Sequence, residues 1–142
     1  MENEVYNERF VGLPLQFEYI DGIRVRLIRD AAYVIARGPY AGHASTVTAG
    51  FEFDWASVPR LFWRIFPPAG DGHNPYGIAA MWHDWIYEHQ AINGIPCSRL
   101  DADNLFKEIM EQLEVHKLVI HTLYRCVRIG GWVGWNRNER AL

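Results

Sequence analysis

The residues best suited to chemistry lie in the run Trp82–Tyr87, which contains a histidine, an aspartate and a tyrosine. On a helix, His83 and Tyr87 share one face because they are four residues apart. Asp84 points about 100° away from His83, so the two side chains can line adjacent walls of one pocket. The spacing therefore predicts a helical site built around His83.

A second predicted helix places Asp103 on an otherwise apolar stripe that contains Phe106, Met110 and Leu113. Burying a carboxylate costs several kcal/mol unless it is paired, hydrogen-bonded or bound to a metal. His83 on the neighbouring helix is the expected partner. A carboxylate bound to one imidazole nitrogen fixes the tautomer and leaves the other nitrogen free to act as a base.

The same residues also have a purely structural interpretation. His83 and Asp103 can form a satisfied core pair, with Tyr87 donating a hydrogen bond to the same carboxylate. Asp84 is the residue that this interpretation leaves unexplained. An additional carboxylate beside the pair is where a hard cation would bind.

A second polar cluster occupies Phe53–Arg60. Asp54 and Ser57 suit the capping of a turn that leads to Pro59, which in turn suits the first turn of a short helix. This structural interpretation is favoured over a role in ligand binding. Ser57 lacks the flanking glycines of a nucleophile elbow, which argues against a serine nucleophile.

Several function classes find no support in the sequence. It contains no HExxH or other zinc spacing, no Walker loop and no GxGxxG. A net charge of −3 and a pI of about 6.0 argue against nucleic-acid binding through bulk positive charge. Cys97 and Cys126 have no CxxC partner, and a disulfide between them stays open. We expect neither a signal peptide nor a transmembrane segment.

The first sixty residues predict β structure. Two short alternating runs, 17–20 and 23–27, flank the hairpin signal Asp21-Gly22. A third strand is predicted at Ala32–Ile35. A fourth is predicted over 46–53, broken at Gly50.

The second half predicts helices at about 76–90, from Ser98 onward, and at about 115–129. Ser98 suits an N-cap, with Asp101 completing a capping box. Strands followed by helices predict an α+β fold, with a small antiparallel sheet and about three C-terminal helices. We expect one domain over 1–142, with a β-rich part at about 1–60 and a helical part at about 75–131.

A series of short motifs runs in a fixed order through residues 45–130. They are Val47-Thr48-Ala49-Gly50-Phe51, Asp54, Ala56-Ser57-Val58-Pro59-Arg60, Trp63, Pro67, Pro68, Ala79, Ala80, His83-Asp84, Tyr87, Ser98-Arg99, Ala102-Asp103, Phe106, Met110, Tyr124, Arg128 and Gly130. This series resembles a phage and prophage family known as domain of unknown function one-three-five-three. The resemblance implies a phage or prophage origin, synthesis in the host cytoplasm and partners among virion proteins. It supplies no activity.

The His-Asp-x-x-Tyr pattern with a later aspartate is also similar to the site of phospholipase A2. This resemblance implies that His83 activates water, that Asp103 orients His83, and that Tyr87 braces Asp103. It also implies a calcium ion on Asp84, with further ligands from the Gly70–Gly77 loop or from near Asp54. The family's disulfides and its calcium loop are absent from this chain.

Two hypotheses of different classes follow. The first is a metal-assisted hydrolase that acts on a cell-envelope component, either a lipid ester or peptidoglycan. The second is a virion protein of the tail or neck, or an assembly protein, in which the polar cluster is a structural brace. A protein that blocks a host factor through an acidic face is a minor third possibility, since the charge involved is small.

Overall fold

A computed structural model describes residues 7–21, 24–54 and 75–142. Within these residues, the first half forms two three-stranded antiparallel sheets instead of one small sheet. The first sheet has the order β1 (Phe10–Val11), β4 (Ala31–Val34), β5 (Ala44–Val47), and the second has the order β2 (Phe17–Tyr19), β3 (Arg24–Leu27), β6 (Glu52–Asp54).

Strand β3 shows why these segments form sheets. Val25 and Leu27 are fully buried, whereas Arg26 faces outward and pairs with Glu18 and Glu52 on the two neighbouring strands. This alternation is typical of a strand with one face on the core. The predicted hairpin between β2 and β3 is confirmed by their antiparallel pairing, and its turn residue Gly22 lies outside the described residues.

The helices follow the strands, which confirms the α+β prediction. They are α1 (Pro75–His89), α2 (Arg99–Gln112), α3 (Lys117–Gly130) and α4 (Trp132–Ala141). Helix α4 was not predicted, because its mixed sequence lacks a long apolar stripe. Between α1 and α2 lies a short hairpin, β7 (Ala91–Ile92) and β8 (Ile95–Pro96). Its turn residues Asn93 and Gly94 both have positive φ, as a tight hairpin turn requires.

The predicted capping box at the start of α2 is present. The Ser98 hydroxyl accepts a hydrogen bond from the Asp101 amide at 3.1 Å, and the Asp101 carboxylate accepts one from the Ser98 amide at 3.0 Å. Two donors at the helix N-terminus are thereby satisfied. The capping box fixes the residue at which α2 starts, and therefore the side of the helix on which Asp103 lies.

Helix α1 lies at the centre of the helical part and packs against α2, α4, β5 and β7. Its residues Ile78, Met81 and Ile86 are fully buried. Trp82, also fully buried, donates its indole N–H to the carbonyl of Ser45 at 3.0 Å, which ties α1 to the first sheet. Burial on several sides leaves α1 little freedom to rotate, so the side of α1 that carries His83 stays directed at α2. In the part of the chain that the structure describes, no helix is long and apolar enough to cross a membrane.

Candidate functional site

A buried carboxylate lies at the junction of three helices. Asp103 on α2 has no exposed surface. Its Oδ1 accepts hydrogen bonds from His83 Nε2 at 2.8 Å and from the Tyr87 hydroxyl at 2.6 Å, both on α1. Its Oδ2 is bound by Arg128 Nη1 of α3 at 2.7 Å and lies 3.4 Å from Arg99 Nη1. The structure therefore contains the expected pair of His83 and Asp103, together with two partners that sequence reasoning missed.

Arg99 and Arg128 neutralise the charge of Asp103. Arg99 lies four residues before Asp103 on the same helix, so its spacing was a signal that could have identified it. Arg128 comes from α3, and no spacing rule predicts that contact. Arg99 also donates to the carbonyls of Val127 and Arg128, at 3.0 and 3.3 Å, near the C-terminal end of α3. A positively charged side chain is favourable at that end of a helix. The two hydrogen bonds of Arg99 to these carbonyls join α2 to α3.

The side of the site formed by Tyr87 depends on α4 and on the turn before it. The Tyr87 ring contacts the ring of Trp135 edge to face, with centroids 5.2 Å apart. The Tyr87 carbonyl accepts a hydrogen bond from the Asn138 side chain at 3.1 Å. Gly131 comes so close that a Cβ atom there would clash with the Tyr87 hydroxyl oxygen and with the carbonyl oxygen of Val127. A larger residue at this position would therefore displace the tyrosine or the end of α3.

The environment of Asp103 favours its ionised form. Burial alone would raise its pKa, but hydrogen bonds from His83, Tyr87 and Arg128 hold the pKa of Asp103 below its ordinary value. The same burial, and then the bond to Asp103, raises the pKa of the Tyr87 hydroxyl. Tyr87 is therefore a neutral donor and not a base at physiological pH.

His83 is oriented by this carboxylate. Because Asp103 only accepts, the neutral imidazole carries its proton on Nε2 and has its lone pair on Nδ1. In the described parts of the chain, no residue makes a hydrogen bond with Nδ1. The ring lies against the rings of Tyr87 and Phe106, with centroids at 4.1 and 4.8 Å, and 10% of the side chain is exposed. The geometry thus offers a fixed imidazole with one available nitrogen.

Of the two predicted metal ligands, Asp84 alone has a side chain that the structure describes. Asp84 is partly buried on α1, next to His83. Asp54 is the last residue of β6, and its backbone lies opposite that of Arg24 on β3. The side chain of Asp54 lies outside the described part of the structure. Across residues 7–21, 24–54 and 75–142, no group of three or more His, Cys, Asp or Glu side chains is placed to hold a metal ion. Ser57, Pro59 and residues 70–74 of the predicted calcium loop also fall outside the described residues.

Both cysteines are free thiols in the structure. Burial, and then the nearby carboxylate of Asp101, raises the pKa of Cys97 to about 12. Burial also raises the pKa of Cys126. Neither thiol is activated as a nucleophile, because the thiolate is the reactive form.

The family model described as "Protein of unknown function (DUF1353)" matches residues 26–127, more than two thirds of the chain. The chain therefore belongs to this family. The matched segment contains His83, Asp84, Tyr87, Arg99 and Asp103. No curated protein and no solved structure shows a significant match.

We predict that Asp103→Asn destabilises the protein by about 3–5 kcal/mol, because it leaves two guanidinium groups without their buried counter-charge. The pH dependence has a defined sign. The pKa of Asp103 is lower in the folded state than in the unfolded chain, where it is about 3.9. The stabilisation that ionised Asp103 gives the fold is therefore complete above about pH 4 and is lost as the pH falls through the folded-state pKa of Asp103.

Urea unfolding of the wild type and Asp103→Asn across the acidic range measures both effects. The difference in the free energy of unfolding should shrink as the pH falls. A difference that stays constant from neutral pH down to acid unfolding would contradict the assignment of Asp103 as a buried anion.

The adjacent glycines provide a matched pair for the Tyr87 contact. We predict that Gly131→Ala costs about 1–3 kcal/mol, because the new Cβ would push the Tyr87 hydroxyl away from Asp103 or displace the carbonyl of Val127 at the end of α3. Gly130→Ala meets nothing within 4 Å and should be neutral, or stabilise the helix by up to about 1 kcal/mol. Urea unfolding at neutral pH compares them, and equal stabilities would show that Gly131 is not required.

Proposed function

We propose that the chain is a small hydrolase in which His83 activates water through Nδ1. One observation carries this proposal: His83 Nε2 is bound to the buried carboxylate of Asp103, while Nδ1 has no hydrogen-bond partner among the described residues. A carboxylate that holds one imidazole nitrogen orients the ring and stabilises the imidazolium that forms during proton transfer. The roles proposed for His83 and Asp103 are therefore base and positioning residue.

The proposed reaction uses one proton-transfer group of the protein, the imidazole of His83. His83 Nδ1 takes a proton from water, and the oxygen of that water attacks the carbonyl carbon of an ester or amide. The proton then passes from Nδ1 to the leaving group as the tetrahedral intermediate collapses. Tyr87 holds Asp103 in place from the same helix. A Ca²⁺ ion on Asp84 would stabilise the developing negative charge on the carbonyl oxygen.

The substrate class follows from the proposed phage origin, which the resemblance of the sequence motifs supports. An enzyme of this origin would act on the cell envelope, either on a lipid ester or on peptidoglycan. The phospholipase-like spacing of His83, Asp84 and Tyr87 favours the lipid ester. This is an analogy between sites and does not imply common ancestry.

The two arginines favour a second candidate function. Arg99 and Arg128 already balance the charge of Asp103, which reduces the ability of this carboxylate to stabilise an imidazolium. A cluster whose groups satisfy one another fits a structural brace in a non-enzymatic tail, neck or assembly protein. In that case His83 contributes to stability alone, and the partners are other virion proteins.

Replacement of His83 distinguishes the two candidates. We predict that His83→Gln lowers hydrolysis by about 100-fold or more, the range expected for loss of a general base. Two substrates should be tested with Ca²⁺ present: phospholipid vesicles with a labelled acyl chain, and purified peptidoglycan. His121→Gln is the matched control, because His121 is an exposed histidine on α3, away from the Asp103 junction.

The outcomes separate clearly. Activity lost in His83→Gln but retained in His121→Gln supports the hydrolase. A rate that His83→Gln leaves unchanged excludes His83 as the base. If the wild type hydrolyses neither substrate while His83→Gln lowers the melting temperature, the brace is the better account.

The cation is tested separately by thermal melts with chelator and then with Ca²⁺. A ligand that binds only the folded state raises the midpoint by mass action. We predict a saturable rise that Asp84→Asn abolishes and that Glu88→Gln retains, since Glu88 is an exposed acid on the same helix. The absence of any rise up to millimolar Ca²⁺ would remove the metal from the mechanism and leave a metal-free base.

A further inference from the structure

A second cleft lies on the side of α2 that faces away from Asp103. Its volume is about 270 Å³, slightly below the range of about 300–1,000 Å³ that is usual for small-molecule pockets. From α2 it is lined by Asp101, Asn104, Leu105, Lys107 and Glu108. At 100° per residue, these positions centre well away from that of Asp103. The cleft is therefore separate from the His83 site.

The base of the cleft is apolar. Ile35, Ile92 and Leu105 line it, and each is at most 4% exposed. These three come from the β4–β5 connection, the β7–β8 hairpin and α2, so three separate segments form the cleft. Such a surface favours an aliphatic group on the ligand.

Glu108 is the unusual residue of this cleft. It is 97% buried (3% exposed). Its Oε2 accepts hydrogen bonds from the Tyr33 hydroxyl and from the Ala36 amide, the latter at 2.8 Å. Within the described residues, no group donates to its other oxygen, Oε1. A buried carboxyl oxygen without a donor is costly, and a ligand donor is one physical explanation for it.

Complementary groups lie one turn away or less. Lys107 makes no ion pair with a described carboxylate, and its ammonium lies 5.2 Å from the centre of the Tyr124 ring. The side-chain oxygen of Asn104 accepts a hydrogen bond from the Tyr124 hydroxyl at 2.6 Å. The side-chain N–H groups of Asn104 take no part in that bond and can donate to a ligand. The cleft thus combines an acceptor at Glu108, donors at Lys107 and Asn104, and an apolar floor. Two further charged residues of the lining have partners within the protein: Arg37 binds Glu111, and Asp101 caps α2.

We propose that this cleft binds a free α-amino acid with an aliphatic side chain. The ammonium group would donate to Glu108 Oε1, the carboxylate would interact with Lys107 and Asn104, and the side chain would contact Ile35, Ile92 and Leu105. Charge-assisted hydrogen bonds of this kind are stronger than neutral ones. The proposal does not depend on the hydrolase.

Ligand analogues test the proposal without altering the protein. In calorimetry and thermal melts, leucine should bind saturably and raise the midpoint. N-acetylleucine lacks the ammonium and leucinamide lacks the carboxylate, so each should bind at least about tenfold more weakly, which corresponds to about 1.4 kcal/mol. Equal binding of all three would overturn the proposed orientation. No binding of leucine, isoleucine, valine or alanine up to millimolar concentration would overturn the site and leave water as its occupant.

Two variants locate the binding. Glu108→Gln retains an acceptor for Tyr33 and Ala36 and presents an amide donor in place of Oε1, so it should weaken leucine binding about tenfold or more. Lys107→Gln should weaken it several-fold, whereas Lys117→Gln, which lines a neighbouring cleft, should not. Binding that neither Glu108→Gln nor Lys107→Gln affects would place the ligand elsewhere. Neither variant touches His83, so hydrolysis and amino-acid binding are judged separately.

Discussion

A single buried charge determines how the helices of this protein meet. Asp103 has no access to water, and a carboxylate in that position must be compensated by donors that come to it. Its donors come from α1, α2 and α3. A shift of any of these helices by a fraction of a turn would leave a charge or a hydroxyl without its partner. Apolar contacts stabilise the packing of the helices, but they are compatible with many relative orientations. The hydrogen bonds of Asp103 select one of them.

Several other features follow from that selection. The chain between α3 and α4 passes so close to the Tyr87 hydroxyl that a side chain at Gly131 would collide with it. Arg99 serves Asp103 and the carbonyls near the end of α3 at the same time. The direction of α4 depends in turn on the packing of Trp135 against Tyr87. The C-terminal helix, which has little apolar sequence of its own, is therefore positioned by its contacts with the site.

The predictable parts of this structure are those with a local cause. The pair of His83 and Asp103 could be inferred because a carboxylate on an apolar stripe requires a partner, and the capping box at Ser98 is visible in four consecutive residues. Other features have non-local causes. Arg128 lies 25 residues from Asp103, and only the crossing of α2 and α3 brings them together. The division of the strands into two sheets depends on pairing between distant segments, such as β1 with β4. The intrinsic helical propensity of the α4 segment is weak, and its tertiary contacts add to the stability of the helix.

The arrangement also explains why the catalytic and structural hypotheses are difficult to separate by inspection. Preorganised catalytic groups and satisfied core groups require the same thing, which is a side chain held in one orientation by several hydrogen bonds. Asp103 meets that requirement for either role. The difference lies at the second nitrogen of the imidazole, because Nδ1 has no hydrogen-bond partner among the described residues. A histidine that served only as a brace would gain nothing from an available nitrogen, whereas a base requires one. This asymmetry between the two nitrogens of His83 is the physical reason to prefer the hydrolase, even though the arginines on Asp103 lower the basicity that the carboxylate can confer.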